Sequence, residues 1–252
     1  VDDYLYLGFV FNYNGRFTKA KKHTYQKASK AMFALLKRSI NLHLPIDIKL
    51  HLFDSVVLPI LLYGCALWVN EDCTSIERLH LRFCKILLNV NKCTTSNMVY
   101  GELGRMPLLV TATVRALTFW YRLISGEHDK LSCTLYRFLY MLDGHGVYTD
   151  SWLLFIKNTL NNLGFTEYWE NQNVSGSCDW FKAIVKLRLS DQFKQKWRHE
   201  LFNSGKCINY RIFKIDFGIE HYLLNLSPVL CKSMARFRCR NHNLTVEFSR
   251  NI

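Results

Sequence analysis

The chain has 252 residues, of which 49% are apolar and 14% aromatic, so most of it can bury a core and extended disorder is excluded. Only 12 Gly and 4 Pro are present, too few for the many turns of an all-β sandwich or barrel, and long helices are expected instead. The formal net charge of +13 predicts a polyanionic partner, nucleic acid ahead of a membrane surface.

Val1 to Tyr13 alternates and carries Tyr4, Tyr6, Phe9, Phe11 and Tyr13, which predicts a strand closed by a tight turn at Asn14-Gly15. Thr18 caps a predicted helix from about Lys19 to Ser39, with Met32, Phe33, Leu35, Leu36 and Ile40 at helical spacing. Pro45 opens a second helix from Ile46 to about Leu58, which Pro59 kinks or ends. The longest apolar run, Val56 to Val69, is too short to span a bilayer and reads as a buried helix. Thr74-Ser75 caps a third helix whose Ile76, Leu79, Phe83, Ile86 and Leu87 share a face. Ser96 starts a short helix ending at Gly101 or Gly104, and Pro107 opens another running to Ser125. Further helices are predicted over about 129–142, 150–163, Cys178 to Phe202 and Pro228 to Phe237, with Tyr210 to Phe213 a short strand or helix. Asp143-Gly-His-Gly146 and Asn171 to Ser177 read as loops, the first a boundary between helical modules.

The chemistry-bearing patterns are mostly cationic. Arg16 to Arg38 holds eight Lys/Arg and no acid, and Arg16, Lys19, Lys22, Lys27 and Lys30 are candidates to follow a phosphate backbone. Lys194, Arg198 and Arg211 come interleaved with Phe193, Trp197, Tyr210 and Phe213, a mixture of cations and rings suited to unpaired bases. Arg236, Arg238 and Arg240 alternate, and in an extended chain they would share one phosphate-facing side.

Catalytic and metal signals are incomplete. Asp2-Asp3 lacks both a preceding strand and a third carboxylate, so no catalytic residue is assigned. Cys231, Cys239 and His242 fit no zinc spacing and lack a fourth ligand, so no metal ligand is assigned. Nine cysteines without a CxxC motif predict reduced thiols in an intracellular protein.

Several strings together resemble the reverse transcriptases of LINE-type, non-LTR retrotransposons. These are Tyr6-Leu-Gly8, Leu58-Pro-Ile-Leu-Leu-Tyr-Gly-Cys65 with Trp68, Ile76-Glu-Arg-Leu-His80 with Phe83-Cys-Lys85, and Val99-Tyr-Gly-Glu-Leu-Gly104 with Pro107-Leu108. Leu187-Arg-Leu189, Asp191-Gln192, Trp197, Arg236-Phe-Arg238 and Asn241-His242 extend the likeness over essentially the whole chain, while Ala66 stands where the family often has Glu.

The resemblance implies a mainly α fragment. Residues 1–17 would be the last palm-type hairpin, 18–126 a helical thumb-like bundle, and 127–252 a second, post-thumb helical module that engages nucleic acid. Both ends read as internal to a longer polyprotein. The catalytic aspartates and their magnesium would belong to an upstream palm, and zinc to a downstream knuckle, leaving no cofactor within this chain. The implied partners are an RNA–DNA hybrid, template RNA, target DNA and the rest of the polyprotein, with no membrane, at nuclear and cytoplasmic locations. The implied role is binding and positioning template–primer, with no polymerisation by this chain alone. The alternative is a domesticated or degraded remnant acting as a helical nucleic-acid-binding or protein-interaction module.

Overall fold

The computed structural model describes residues 3–126, 130–148 and 150–242. It is mainly α, with one small antiparallel hairpin at the N-terminal side. Asp2 of the Asp2-Asp3 pair lies outside the described residues.

The expected N-terminal hairpin is present, but its turn is not at Asn14-Gly15. Strands β1 (Asp3–Tyr6) and β2 (Phe9–Asn12) pair with Asp3 opposite Asn12 and Tyr6 opposite Phe9. The turn is Leu7-Gly8, both residues at positive φ (47° and 82°), the geometry a two-residue hairpin needs. Asn14-Gly15 instead guides the chain into the first helix, with the Arg16 N–H donating to Asn14 Oδ1 at 3.0 Å.

Helix α1 (Thr18–Asn41) buries Ala20, Lys21, Thr24, Ala28, Met32, Leu35, Leu36 and Ser39, a stripe at intervals of three and four. Phe33 and Ile40, expected on that stripe, are exposed. Helix α2 (Ile46–Leu52) follows Pro45 and continues through a π-turn (Phe53–Val57) into α3 (Leu58–Leu61), so Pro59 lies inside helical structure. The Leu58 N–H bonds back to Phe53 O, five residues earlier, and this widened turn shifts the hydrogen-bond register just ahead of the proline. The apolar run from Val56 to Val69 is therefore not one buried helix. Gly64, at φ 67°, breaks it before α4 (Cys65–Trp68), and Val56 and Tyr63 are exposed. A Cβ at Gly64 would overlap the Phe9 ring.

Helices α5 (Thr74–Leu88), α6 (Ser96–Leu103) and α7 (Leu108–Ile124) start and stop where the sequence signals put them, although Thr95, ahead of α6, makes no side-chain capping hydrogen bond. Helix α8 spans Leu131–Gly144 and α9 spans Ser151–Asn162, the latter capped by Asp150, which accepts from Trp152 N and Leu153 N. The short helix α10 (Thr166–Asn171) precedes the long α11 (Cys178–Asn203). After a 3₁₀ turn come α12 (Tyr210–Phe213), α13 (His221–Asn225) and α14 (Pro228–Arg238).

The chain forms two compact units, each gathered from three separated stretches. One comprises the described residues of Val1–Thr24, Leu62–Ser75 and Leu108–Gln192. Its core includes Trp68, Trp120 and Phe181, with Trp120 Nε1 donating to Tyr136 Oη at 2.8 Å and Trp152 Nε1 to Ala66 O at 2.6 Å. The boundary expected near residue 126 falls inside its third stretch, because α8 and α9 pack on α7. The other unit comprises the described residues of Tyr25–Leu61, Ile76–Pro107 and Phe193–Ile252. There Phe53 and Phe83 stack at 4.3 Å, and a second cluster holds Met98, Trp197, Leu201, Cys207, Tyr210 and Cys239. No helix among the described residues is long and apolar enough to cross a membrane.

Candidate nucleic-acid interface

Helix α5 places Arg78, Arg82 and Lys85 at positions i, i+4 and i+7, which share a face. Its opposite face is anchored. His80, fully buried, sits with Nδ1 3.0 Å from Glu77 Oε1, and the Tyr100 hydroxyl donates to the same oxygen. Arg105 clamps Asp54 bidentately at 2.6 Å on each arm and reaches His80 Nε2 with its Nε–H at 3.4 Å.

Past Leu88 the chain turns through Asn89, at φ 54°, and folds back as far as Lys92. The result is a groove of about 800 Å³ lined by Arg78, Arg82, Lys85 and Lys92, with Leu81 and Ile86 between them. Among the described residues no carboxylate lines it. Arg82 holds its guanidinium carbon 4.7 Å from the Phe33 ring centroid, a cation–π contact that favours that position. Lys85 Nζ donates to Lys92 O at 2.6 Å, and partial burial lowers its pKa. The turn is pinned from the distal chain: Asn91 N–H donates to Asn241 Oδ1 at 3.2 Å, and Asn241 Nδ2 donates to Thr94 Oγ1 at 2.9 Å. Arg78 to Lys85 spans about 10 Å of helix axis, or about three phosphate steps of a strand. This groove was not singled out from the sequence. Its signal was the 78–82–85 spacing, masked by the neighbouring Glu77 and by Lys92 lying outside the helix.

The cations expected from the sequence are scattered more widely. On α1, Lys22, Lys27 and Lys30 are exposed, as is Arg16 ahead of it. Lys19 pairs with Asp3 at 2.7 Å. Lys19 and then Asn12, by hydrogen bonding, hold the Asp3 carboxyl below the usual carboxylate range. Lys21 is buried, pairs with Glu71 at 2.6 Å and donates to Asp72 O at 3.0 Å. The segment thus has no acid of its own but receives two through folding.

In the C-terminal third, Lys194 and Arg198 are exposed on α11, with Arg198 3.4 Å from Asp216. Arg211 donates to Phe202 O at 2.9 Å. The extended stretch expected for Arg236, Arg238 and Arg240 is corrected, because α14 runs on to Arg238. Two residues apart on a helix point to different sides, so the three do not share a face. Arg236 Nε donates to Asn241 O at 3.1 Å, and Arg240 reaches Lys206 O at 3.4 Å. Arg238 is committed to structure, pairing with Glu102 at 2.9 Å and Glu220 at 3.0 Å. Trp197 and Tyr210, expected beside nucleic acid, are core: Trp197 Nε1 donates to Asn97 O at 2.8 Å and the Tyr210 hydroxyl to Met98 O at 3.1 Å. Phe193 is half-buried and Phe213 exposed.

Among the described residues no group of three His, Cys, Asp or Glu is placed to hold a metal ion. The Cys231 thiol donates to Tyr222 O at 3.2 Å and Leu226 O at 3.3 Å, whereas His242 stacks on Phe237 at 5.3 Å. No family model, curated protein or solved structure matches this chain.

Proposed function

We propose that this chain binds nucleic acid through its phosphate backbone, with the α5 groove as the principal contact. The observation that carries this reading is a concave surface lined by four cations and, among the described residues, no carboxylate, on a chain of net charge +13. Such a surface releases counterions on binding and has little with which to read base edges. The strings from Tyr6-Leu-Gly8 to Asn241-His242 refine the proposal: the chain would be a thumb and post-thumb portion of a LINE-type reverse transcriptase. It would position template–primer for a polymerase site that these residues do not supply.

The test is the salt dependence of binding to an RNA–DNA hybrid. Four engaged cations give a log–log slope of about −3 to −4, from roughly −0.9 per neutralised phosphate. Replacing Arg78, Arg82 and Lys92 with Gln should flatten the slope to about −1 and weaken all duplexes alike. A triple variant with wild-type affinity and slope would remove the groove as the interface.

A further inference from the structure

We infer that Phe213, Phe237 and His242 form a stacking platform for unpaired bases, continuous with the α5 groove through Asn241. The inference rests on the nucleic-acid reading proposed above.

Phe237, in the last turn of α14, is 43% exposed, and Phe213, ending α12, is 44% exposed. Their ring centroids lie 5.9 Å apart. His242 stacks on Phe237 at 5.3 Å with the planes 27° apart. Phe237 and His242 are therefore near-parallel, with Phe213 tilted 59° against Phe237, and all three lie outside the cluster that buries Trp197 and Tyr210. Large rings left in water cost free energy that burial would recover, and an ordered exposed row is the arrangement a flat apolar ligand needs.

The surroundings select a polyanion as that ligand's carrier. Arg238, 5.7 Å from the Phe213 centroid, is taken up by Glu102 and Glu220, whereas Arg236 donates to the neutral Asn241 carbonyl beside His242 and so brings positive charge to the row. Glu220 is also held by Lys214. A paired duplex offers a ring only its edges and phosphates, whereas an unstacked base offers a full π-face.

Continuity with the groove comes from one side chain. Asn241 accepts from the Asn91 N–H on the groove rim, and His242 is the next residue. A strand leaving the groove past Asn91 would therefore meet the His242 end of the row first. The two surfaces would divide the work: cations for the paired region, rings for the adjoining unpaired one.

The experiment uses the full chain and fluorescence anisotropy at one salt concentration. Three probes are compared: an oligouridylate, an abasic strand of equal length, and an RNA–DNA hybrid. The variants are Phe237→Ala and His242→Ala, with thermal melts by circular dichroism as the check on folding. Each variant should weaken the oligouridylate roughly tenfold and leave the hybrid within about twofold. Wild type should bind the abasic strand about as weakly as the variants bind oligouridylate. Should Phe237→Ala unfold the chain, His242→Ala and the abasic comparison decide alone. The platform is overturned by a wild type that holds abasic and uridylate strands equally, or by a folded His242→Ala that keeps wild-type affinity for uridylate. Failure of the groove reading would instead appear as unchanged hybrid binding in the Arg78, Arg82, Lys92 variant, whatever the ring variants do.

Discussion

Glu102, with no solvent exposure, accepts the Nε–H of Arg238 at 2.9 Å, tying α6 to the last turn of α14 across 136 positions of sequence. Tyr222 donates to the other carboxylate oxygen at 2.5 Å, and Arg238 also holds Glu220. Burial first, and Glu102 next, raise the Tyr222 pKa above its ordinary value, so its hydroxyl remains a donor.

Arg238→Gln would leave a carboxylate buried with its charge unmatched. Unfolding free energy should fall by about 3–5 kcal/mol, as for other broken buried pairs. Arg198→Gln, at an exposed pair with Asp216, should change it by less than about 1 kcal/mol. Urea unfolding of both variants checks the contrast; equal effects would show that the Glu102 pair does not hold α14 in place.

Neighbouring lysines of α1 should behave oppositely. Lys21→Gln breaks the buried pair with Glu71 and should cost about 1.5–3 kcal/mol. Replacing Lys22, Lys27 and Lys30 with Gln alters an exposed face and should stay within about 0.5 kcal/mol. Denaturant midpoints at constant slope measure both. A large loss in the triple variant would mean that this face packs against something.

Thiol chemistry should single out one residue. None of the nine cysteines is in a disulfide, and Cys93 is the one exposed at the surface. Burial pushes the Cys73 thiol up to about 11, and burial also raises Cys65, Cys207, Cys231 and Cys239. A raised pKa lowers the thiolate fraction at pH 8, so a disulfide reagent should label one thiol rapidly and these others slowly. Cys93→Ser should abolish the fast phase; its survival would place the reactive thiol elsewhere.

Gly101 in α6 and Gly104 just past its end should resist substitution for different reasons. A Cβ at Gly101 would stand 2.6 Å from Tyr210 Oη and 2.9 Å from the Trp197 ring, so Gly101→Ala should cost about 1–3 kcal/mol. Gly104, at φ 60°, would meet the Ile219 nitrogen at 2.5 Å, adding left-handed strain of about 1–2 kcal/mol to a clash with backbone. Gly205→Ala, with nothing within 4 Å, should be nearly neutral. Thermal melts of the three variants give the order.

By itself the sequence determined the mainly helical class and most helix positions. Thr18, Pro45, Thr74, Ser96, Pro107 and Pro228 stand at the starts of their helices, and their local preferences act within a few residues, so those starts are legible without a partner. The hairpin turn was missed because Asn14-Gly15 is the stronger local signal, while Leu7-Gly8 gains its advantage only from pairing Tyr6 with Phe9. Tertiary structure alone decided which cations are available. Lys19, Lys21 and Arg238 read as members of basic runs until folding brings Asp3, Glu71 and Glu102 to them over 16, 50 and 136 positions. It also made a groove of Arg78, Arg82, Lys85 and Lys92, since the Asn89 turn and the distant Asn241 set its far wall. Helical periodicity follows from backbone geometry repeated every few residues. Charge pairing and concavity depend on contacts between residues remote in sequence, and local pattern carries no record of those.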